Sequence, residues 1–372
     1  MQSNKLRIAI RATAAAAVFG MATQAHAFNF SAGDVDASVY GYARLNMSYD
    51  IDENVANSGH RGGNFPTIND SNDVNGHFGA AASQSRIGVK ATHASGVMVN
   101  IEGDFMGADY SGGALRLRHA YGTYKGVLAG QTWSNYNSFV GSTSTLDFDG
   151  VVGVAGYGSR TAQLRYTSGP LSLAIEDPKG SLAGTAANAV KKNGLPALTA
   201  RLEDKAGGLG YSVAALVKQN AYDDGQGNDD STMAYAVFGA ASMAVSDMIS
   251  VRGAINYTDG ANGYLYRSGG ADAYIDTNGD LKNLSGVGGT VGTSISLGGG
   301  RTINATYGMD KLDVNDLAAT TIETRQNAFV NYQWTPVENV MMGVEYGYYK
   351  QETQGGQSDD ANRLMFATQY NF

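Results

Sequence analysis

The chain has 372 residues, of which 50 are glycine, 5 proline and none cysteine; 16% are charged, and 22 of the 36 aromatic residues are tyrosine. A length of this order suits two or three soluble domains or one large β-barrel, and a Gly- and Tyr-rich, charge-poor composition suits many strands and turns with tyrosines at a boundary between water and an apolar phase. The absence of cysteine excludes thiolate zinc sites, iron–sulfur clusters and disulfide scaffolds.

The first segment in chain order stands outside the fold. Lys5, Arg7 and Arg11 precede an apolar run from Ala12 to about Ala22, followed by Ala25-His26-Ala27, the pattern of a secretory signal peptide. The run is about half the length that a membrane-spanning helix needs. The sequence therefore divides into a cleaved signal over residues 1–27 and one barrel domain over residues 28–372. Removing those three cations from the 26 Lys and Arg leaves 23 against 34 Asp and Glu, so the mature chain carries −11, a poor balance for binding nucleic acid. No later segment offers 18 consecutive apolar residues, which excludes spanning helices. An exported soluble protein and a β-barrel remain.

Period-2 alternation appears first in residues 39–49, where Val39, Leu45, Met47 and Tyr49 share one face and Arg44, Asn46 and Ser48 take the other. It returns in 97–105, 209–217, 249–257, 303–309, 328–334, 340–348 and 364–372, and about 16 strands are expected. The connections alternate in length. Short, turn-rich ones fall near 93–96, 125–126, 168–170, 205–208, 246–248, 298–300 and 335–339. Longer polar, acidic ones cover 51–76, 134–158, 177–195, 223–231, 258–281, 311–321 and 352–361, and only the connection around 109–113 breaks the rule. Long loops at one end and tight turns at the other are how outer-membrane barrels are built, with a closed sheet that leaves no edge unpaired in lipid.

The polar parity of the strands is rich in Gly, Ser, Thr, Asn, Gln and charge, which a water-filled lumen explains. Tyr49, Tyr211, Tyr257, Tyr307, Trp334, Tyr346 and Tyr370 lie near strand ends, as aromatic girdles do. The fold expected is all-β: a 16-stranded antiparallel transmembrane β-barrel of the bacterial outer membrane, with the third long loop folded into the lumen.

The sequence resembles trimeric bacterial porins, and most closely the DcaP family of dicarboxylate and anion porins. The matching segments are Val39-Tyr40-Gly41-Tyr42, Phe65-Pro66, Gln84-Ser85-Arg86-Ile87-Gly88-Val89-Lys90, Leu115-Arg116-Leu117-Arg118-His119-Ala120-Tyr121-Gly122, Gly130-Gln131-Thr132-Trp133-Ser134, Leu146-Asp147-Phe148-Asp149-Gly150 and Gln163-Leu164-Arg165-Tyr166. They cover the first half in order, and the second half resembles the family in pattern. The chain lacks the N-terminal coiled-coil extension known in some members, and it closes on Phe366-Ala367-Thr368-Gln369-Tyr370-Asn371-Phe372, similar to the terminal signal of outer-membrane barrels. The resemblance implies a homotrimer; Gly41 and Ala43, small and of lipid-facing parity, permit close packing of protomers.

The loop 134–158 follows the fifth strand, where the third loop of 16-stranded porins makes a constriction, and its Asp147 and Asp149 are expected to form the acidic half of an eyelet. Opposite them the polar parity of the early strands carries Arg44, Arg86, Lys90, Arg116, Arg118 and Arg165. Such cations at mid-depth in lipid would cost about 2 to 4 kcal/mol each, so the lumen is their expected place. A basic wall favours anions, and guanidinium forks suit carboxylates. The function expected is passive diffusion of small hydrophilic solutes, favouring anions such as dicarboxylates, with the acidic loops meeting lipopolysaccharide through divalent cations.

Other signals are weaker. Asp276-Thr277-Asn278-Gly279-Asp280 begins like a calcium loop but continues with Leu281 and has Val287 at its twelfth position. Gly286-Val287-Gly288 reads as part of a Gly-rich strand, and His60, His77, His93 and His119 show no metal spacing. No cofactor, metal site or nucleic-acid partner is expected, and no enzymatic activity. A non-transport outer-membrane barrel, a lipase-type enzyme or an adhesin or receptor, is the alternative.

Overall fold

The computed structural model describes residues 27–53, 55, 65–66, 68, 75–107, 113–184 and 190–372. The expected signal segment lies outside the described residues except for Ala27.

Sixteen antiparallel strands close into a barrel among the described residues. In chain order they are β1 (Val35–Asp50), β2 (His77–Ala81 and Arg86–His93), β3 (Met98–Gly107), β4 (Ala114–Tyr124), β5 (Val127–Trp133), β6 (Arg160–Ser168), β7 (Leu171–Glu176), β8 (Val190–Lys192 and Ala197–Ala206), β9 (Leu209–Asp223), β10 (Asp229–Ala244), β11 (Ile249–Asp259), β12 (Ser285–Gly298), β13 (Arg301–Leu312), β14 (Ile322–Val337), β15 (Val340–Thr353) and β16 (Ser358–Asn371). The two pieces of β2 both pair with β1, and the two pieces of β8 both pair with β9, so each pair of pieces is one wall strand.

Closure is shared between the two ends of the chain. The last strand pairs with the upper part of β1, from Tyr42 opposite Asn371 to Asp50 opposite Arg363. Below it, Phe28–Ala32 pairs with the lower part, from Phe28 opposite Val39 to Ala32 opposite Val35. Gly41 of β1 and the terminal Phe372 extend the upper ladder with reciprocal backbone hydrogen bonds of 3.1 Å. Among the described residues the sheet is thereby closed on itself, as a spanning sheet requires.

Alternation places the side chains as expected. Leu45, Val99, Ile101, Leu164, Leu173, Ile175, Leu198, Val213, Val217, Ile255, Val291, Val330 and Leu364 point outward and stay exposed, while Arg44, Asn46, Ser48 and Asp50 point inward and are buried. An apolar exterior around a polar interior is the inverse of a soluble fold and suits hydrocarbon.

Tight turns occupy one end, and the longer connections the other. Two loops expected to be long are short because their strands extend past the membrane belt: β9 has 15 residues and β10 has 16, separated by residues 224–228. Residues 354–357 likewise join β15 and β16. A membrane-crossing strand needs about 9 to 11 residues, so this side of the barrel stands high. Strands β5 and β7, with 7 and 6 residues, leave the opposite side low.

The lumen is not evenly filled. Residues 134–159, the third long loop (L3), dive into it between β5 and β6. They pack against the inner face of the high wall, where Tyr136 and Ala155 join Ala197, Ala214, Leu216, Ala234, Ala236, Phe238 and Ala240. Further along, Val151 and Val152 join Phe329, Tyr349 and Ala361. Both clusters set L3 against the later strands, β8–β10 and β14–β16.

Candidate functional site: an arginine wall beside a latched loop

Pairing register builds the wall. Tyr42, Arg86, Asp104 and Arg116 lie side by side across β1 to β4, all on the inward parity. In β4 the register then shifts, so that Glu102 faces His119 while Gly103 faces Leu117. The extra residue is Arg118, and this β-bulge turns both Arg118 and His119 inward, which strict alternation forbids.

The guanidinium groups share two carboxylates. Arg116 donates to both oxygens of Asp104 at 2.9 and 2.7 Å. Arg118 donates to Glu102 at 2.7 Å and to Asp104 at 2.9 Å, and Arg86 lies 3.4 Å from Glu102. Arg118 is sealed, whereas the side chains of Arg86 and Arg116 keep 21% and 30% exposure. A fourth cation, Arg160, stacks on the Trp133 ring at 3.8 Å and donates to His119 Nε2 at 3.4 Å. Four arginines against two acids leave the cluster net positive. His119 is also bonded to Thr132 Oγ1 at 2.9 Å, as a hydrogen-bonded structural histidine would be.

Arg44 stands on the same level but points toward L3, donating to the Leu146 carbonyl at 3.0 Å and to Asn46 at 2.9 Å. Lys90 sits four residues below Arg86 on β2, about 13 Å toward the tight-turn end, and Arg165 lies in the same lower half, on β6. Neither is brought into the cluster.

The two loop acids depart from the expected geometry. Rather than facing the arginines, Asp147 and Asp149 fasten L3. Asp147 accepts from Tyr349 at 2.7 Å and from the backbone of Asp149 at 2.8 Å, and Asp149 pairs with Arg267 at 2.7 Å. Burial, with the nearby charge of Asp149, pushes the Asp147 carboxyl above the usual range. The acids that do meet Arg86, Arg116 and Arg118 are Glu102 and Asp104, and L3 approaches this cluster with Phe148, whose ring lies 5.9 and 6.0 Å from the Arg116 and Arg118 guanidiniums.

Polar residues from the wall hold the rest of L3. Glu345 accepts the Leu146 and Asp147 backbone N–H groups at 2.7 and 2.8 Å. Asn327 accepts from Val152 and donates to the Gly150 carbonyl, Asn256 accepts from Gly156 and donates to Gly153, and Ser134 donates to Glu176. Each bond satisfies a backbone or side-chain group that the loop carries out of water.

A sealed barrel, an inward loop after the fifth strand and a cationic wall beside it are the parts of a diffusion channel. The sequence profile of the DcaP outer membrane protein family matches residues 20–372. The chain belongs to this family. Among solved structures it is similar to the outer membrane channel DcaP of Acinetobacter baumannii, at 29% identity and a TM-score of 0.81, with 92% of this chain and 99% of that one covered. The anion-selective porin of Comamonas acidovorans shares the fold at 13% identity and TM-score 0.61, covering 91% and 100%. OmpT of Vibrio cholerae in its trimer form does so at 13% and 0.57, covering 91% and 99%. No curated protein sequence matches. This DcaP-family barrel is an outer-membrane porin.

Proposed function

We propose that the channel passes small hydrophilic solutes by passive diffusion and favours anions, dicarboxylates among them. The observation that carries this reading is the imbalance at mid-height: Arg86, Arg116, Arg118 and Arg160 surround Glu102 and Asp104, while the loop acids Asp147 and Asp149 are buried in other bonds. The duct thus meets partly exposed guanidiniums and no opposing free carboxylate from L3. Arg86 and Arg116, with Arg44 beside them, attract an anion as it reaches the narrow section. Arg118 and Arg160 sustain the field from behind, and Lys90 and Arg165 continue it toward the tight-turn end. Planar forks pair with carboxylates, yet those of Arg86, Arg116 and Arg118 are already engaged with Glu102 and Asp104, so binding stays weak enough for release. The porin reading includes a homotrimer, acidic outer loops that meet lipopolysaccharide through divalent cations, and cleavage of the signal after Ala27.

Replacing Arg86 and Arg116 together by Ala removes two exposed cations. A unit charge at about 7 Å in water contributes roughly 0.6 kcal/mol before screening, so the anion-to-cation permeability ratio in planar bilayers falls roughly fivefold. An unchanged reversal potential overturns the assignment. The same recordings show three equal conductance steps for a trimer, and liposome swelling ranks dicarboxylates above neutral sugars of similar size.

A further inference from the structure

L3 is not alone in the lumen. Residues 260–284, the sixth external connection (L6), turn inward from β11 through a short helical turn at Asn262–Tyr264 whose Asn262 and Tyr264 are buried. The depth is set by Leu265, which rests against Gly288; a Cβ on that glycine would come within 2.7 Å of Leu265 Cδ1. Gly288 pairs with Asn256, three residues below the rim of β11 at Asp259, so the apex of L6 lies inside the barrel, about 10 Å beneath its edge.

There it binds L3 over a continuous surface. The Tyr264 ring packs between those of Tyr136 and Tyr157 at 6.0 and 5.2 Å. Tyr266 donates to the Asp149 carbonyl at 3.0 Å, and its own carbonyl accepts from the Gly153 N–H at 3.3 Å. A buried ion pair between Lys218 of β9 and Asp272 anchors the returning limb, where Asp272 also accepts from the Gly263 backbone at 2.7 Å.

Arg267 is the junction. Its guanidinium pairs with Asp149 of L3 at 2.7 Å and lies 5.9 Å from the ring of Phe65 in the first loop. Its carbonyl accepts from Arg325 of β14 at 3.0 Å. Its backbone is left-handed, with φ of 64°, a conformation that costs a non-glycine residue about 1 kcal/mol or more and persists only where the surroundings impose it. Burial disfavours the Arg267 cation, but the charge of Asp149 outweighs it and lifts the pKa above the ordinary arginine value. An ion pair this enclosed joins three loops and one wall at a single point.

We propose that L6 is a second constricting element, locked onto L3 by the Asp149–Arg267 pair, and that it sets the size limit for solutes while the arginine wall sets their charge preference. This rests on the reading of the barrel as a diffusion channel. The test is the double variant Asp149→Asn, Arg267→Gly, which removes both charges at once, leaves the net charge unchanged and relieves the left-handed backbone. A second variant deletes residues 263–270 and serves if the first does not give a folded, heat-modifiable barrel.

In planar bilayers the expected result is a rise in single-channel conductance of about 1.5-fold or more, with uptake of larger neutral oligosaccharides in liposome swelling and an anion preference of the same sign. Unchanged conductance and an unchanged sugar cut-off in both variants overturn the proposal. A silent wild-type protein would instead overturn the channel reading, so the two failures are distinguishable.

Discussion

At the scale of single residues, the consequential groups are those that hold L3 in place rather than those that touch solute. Glu345 is the clearest. Its carboxylate accepts two consecutive backbone N–H groups of L3 and the Asn331 side-chain amide at 2.8 Å, and is itself buried. Glu345→Ala leaves two buried donors without an acceptor, each costing about 1 to 3 kcal/mol. The loss falls on the local attachment, because the barrel ladder is untouched. Amide hydrogen exchange at Leu146 and Asp147 is expected to speed by at least tenfold, and the open channel to become noisier. Exchange at the wild-type rate would show that Tyr349 and Arg267 hold the loop unaided. Arg160 belongs to the same scale. Its strand parity reads as outward, so alternation from Gln163 and Arg165 gives no sign of it; as the first residue of β6, at the edge where L3 rejoins the wall, its side chain is free to lie over Trp133.

At the scale of elements, the strands and the alternation of their connections are legible because both are local: period 2 needs only neighbouring residues, and turns need only Gly, Asn or Pro at the right place. The β-bulge at Arg118 and the inward path of L6 are not legible, since both depend on register and on contacts distant in sequence. The glycines of the polar parity read from sequence as lining for water. On the high wall their reason is different. Gly308, Gly292 and Gly343 stand where L3 lies directly against the sheet, and a Cβ on Gly308 would come within 2.2 Å of the Val152 carbonyl oxygen.

The smooth stripe is thus a seat for loops. Gly308→Val forces L3 off the wall and costs about 1 to 3 kcal/mol as an overpacked contact, whereas Gly239→Ala, with nothing within 4 Å of the added carbon, is its neutral control. Displaced toward the arginines, L3 narrows the duct, so single-channel conductance of Gly308→Val should fall while that of Gly239→Ala stays at the wild-type level. Equal conductance for both would mean that the glycine stripe does not position the loop.

At the scale of the whole molecule, the chain is acidic yet gathers arginines on its inner wall, because the two signs are sorted by place. Acids such as Asp223, Asp224, Asp229, Asp280 and Asp359 sit at the external end of the barrel, while the guanidiniums sit at mid-height. The sorted charge makes a prediction that separates electrostatic selection from sieving. Fixed charges act through a field that salt screens, with a Debye length near 10 Å at 0.1 M and near 3 Å at 1 M. A solute passing about 7 Å from Arg86 and Arg116 lies inside the first length and outside the second. Reversal potentials measured under one fixed salt ratio should therefore show a strong anion preference around 0.1 M that shrinks toward neutrality around 1 M, whereas the cut-off for neutral sugars should not move with salt. Should the preference persist undiminished at high salt, selection would have to come from direct coordination of the anion by guanidinium forks rather than from the field of the wall, and the Arg86→Ala, Arg116→Ala pair would then abolish it at every ionic strength.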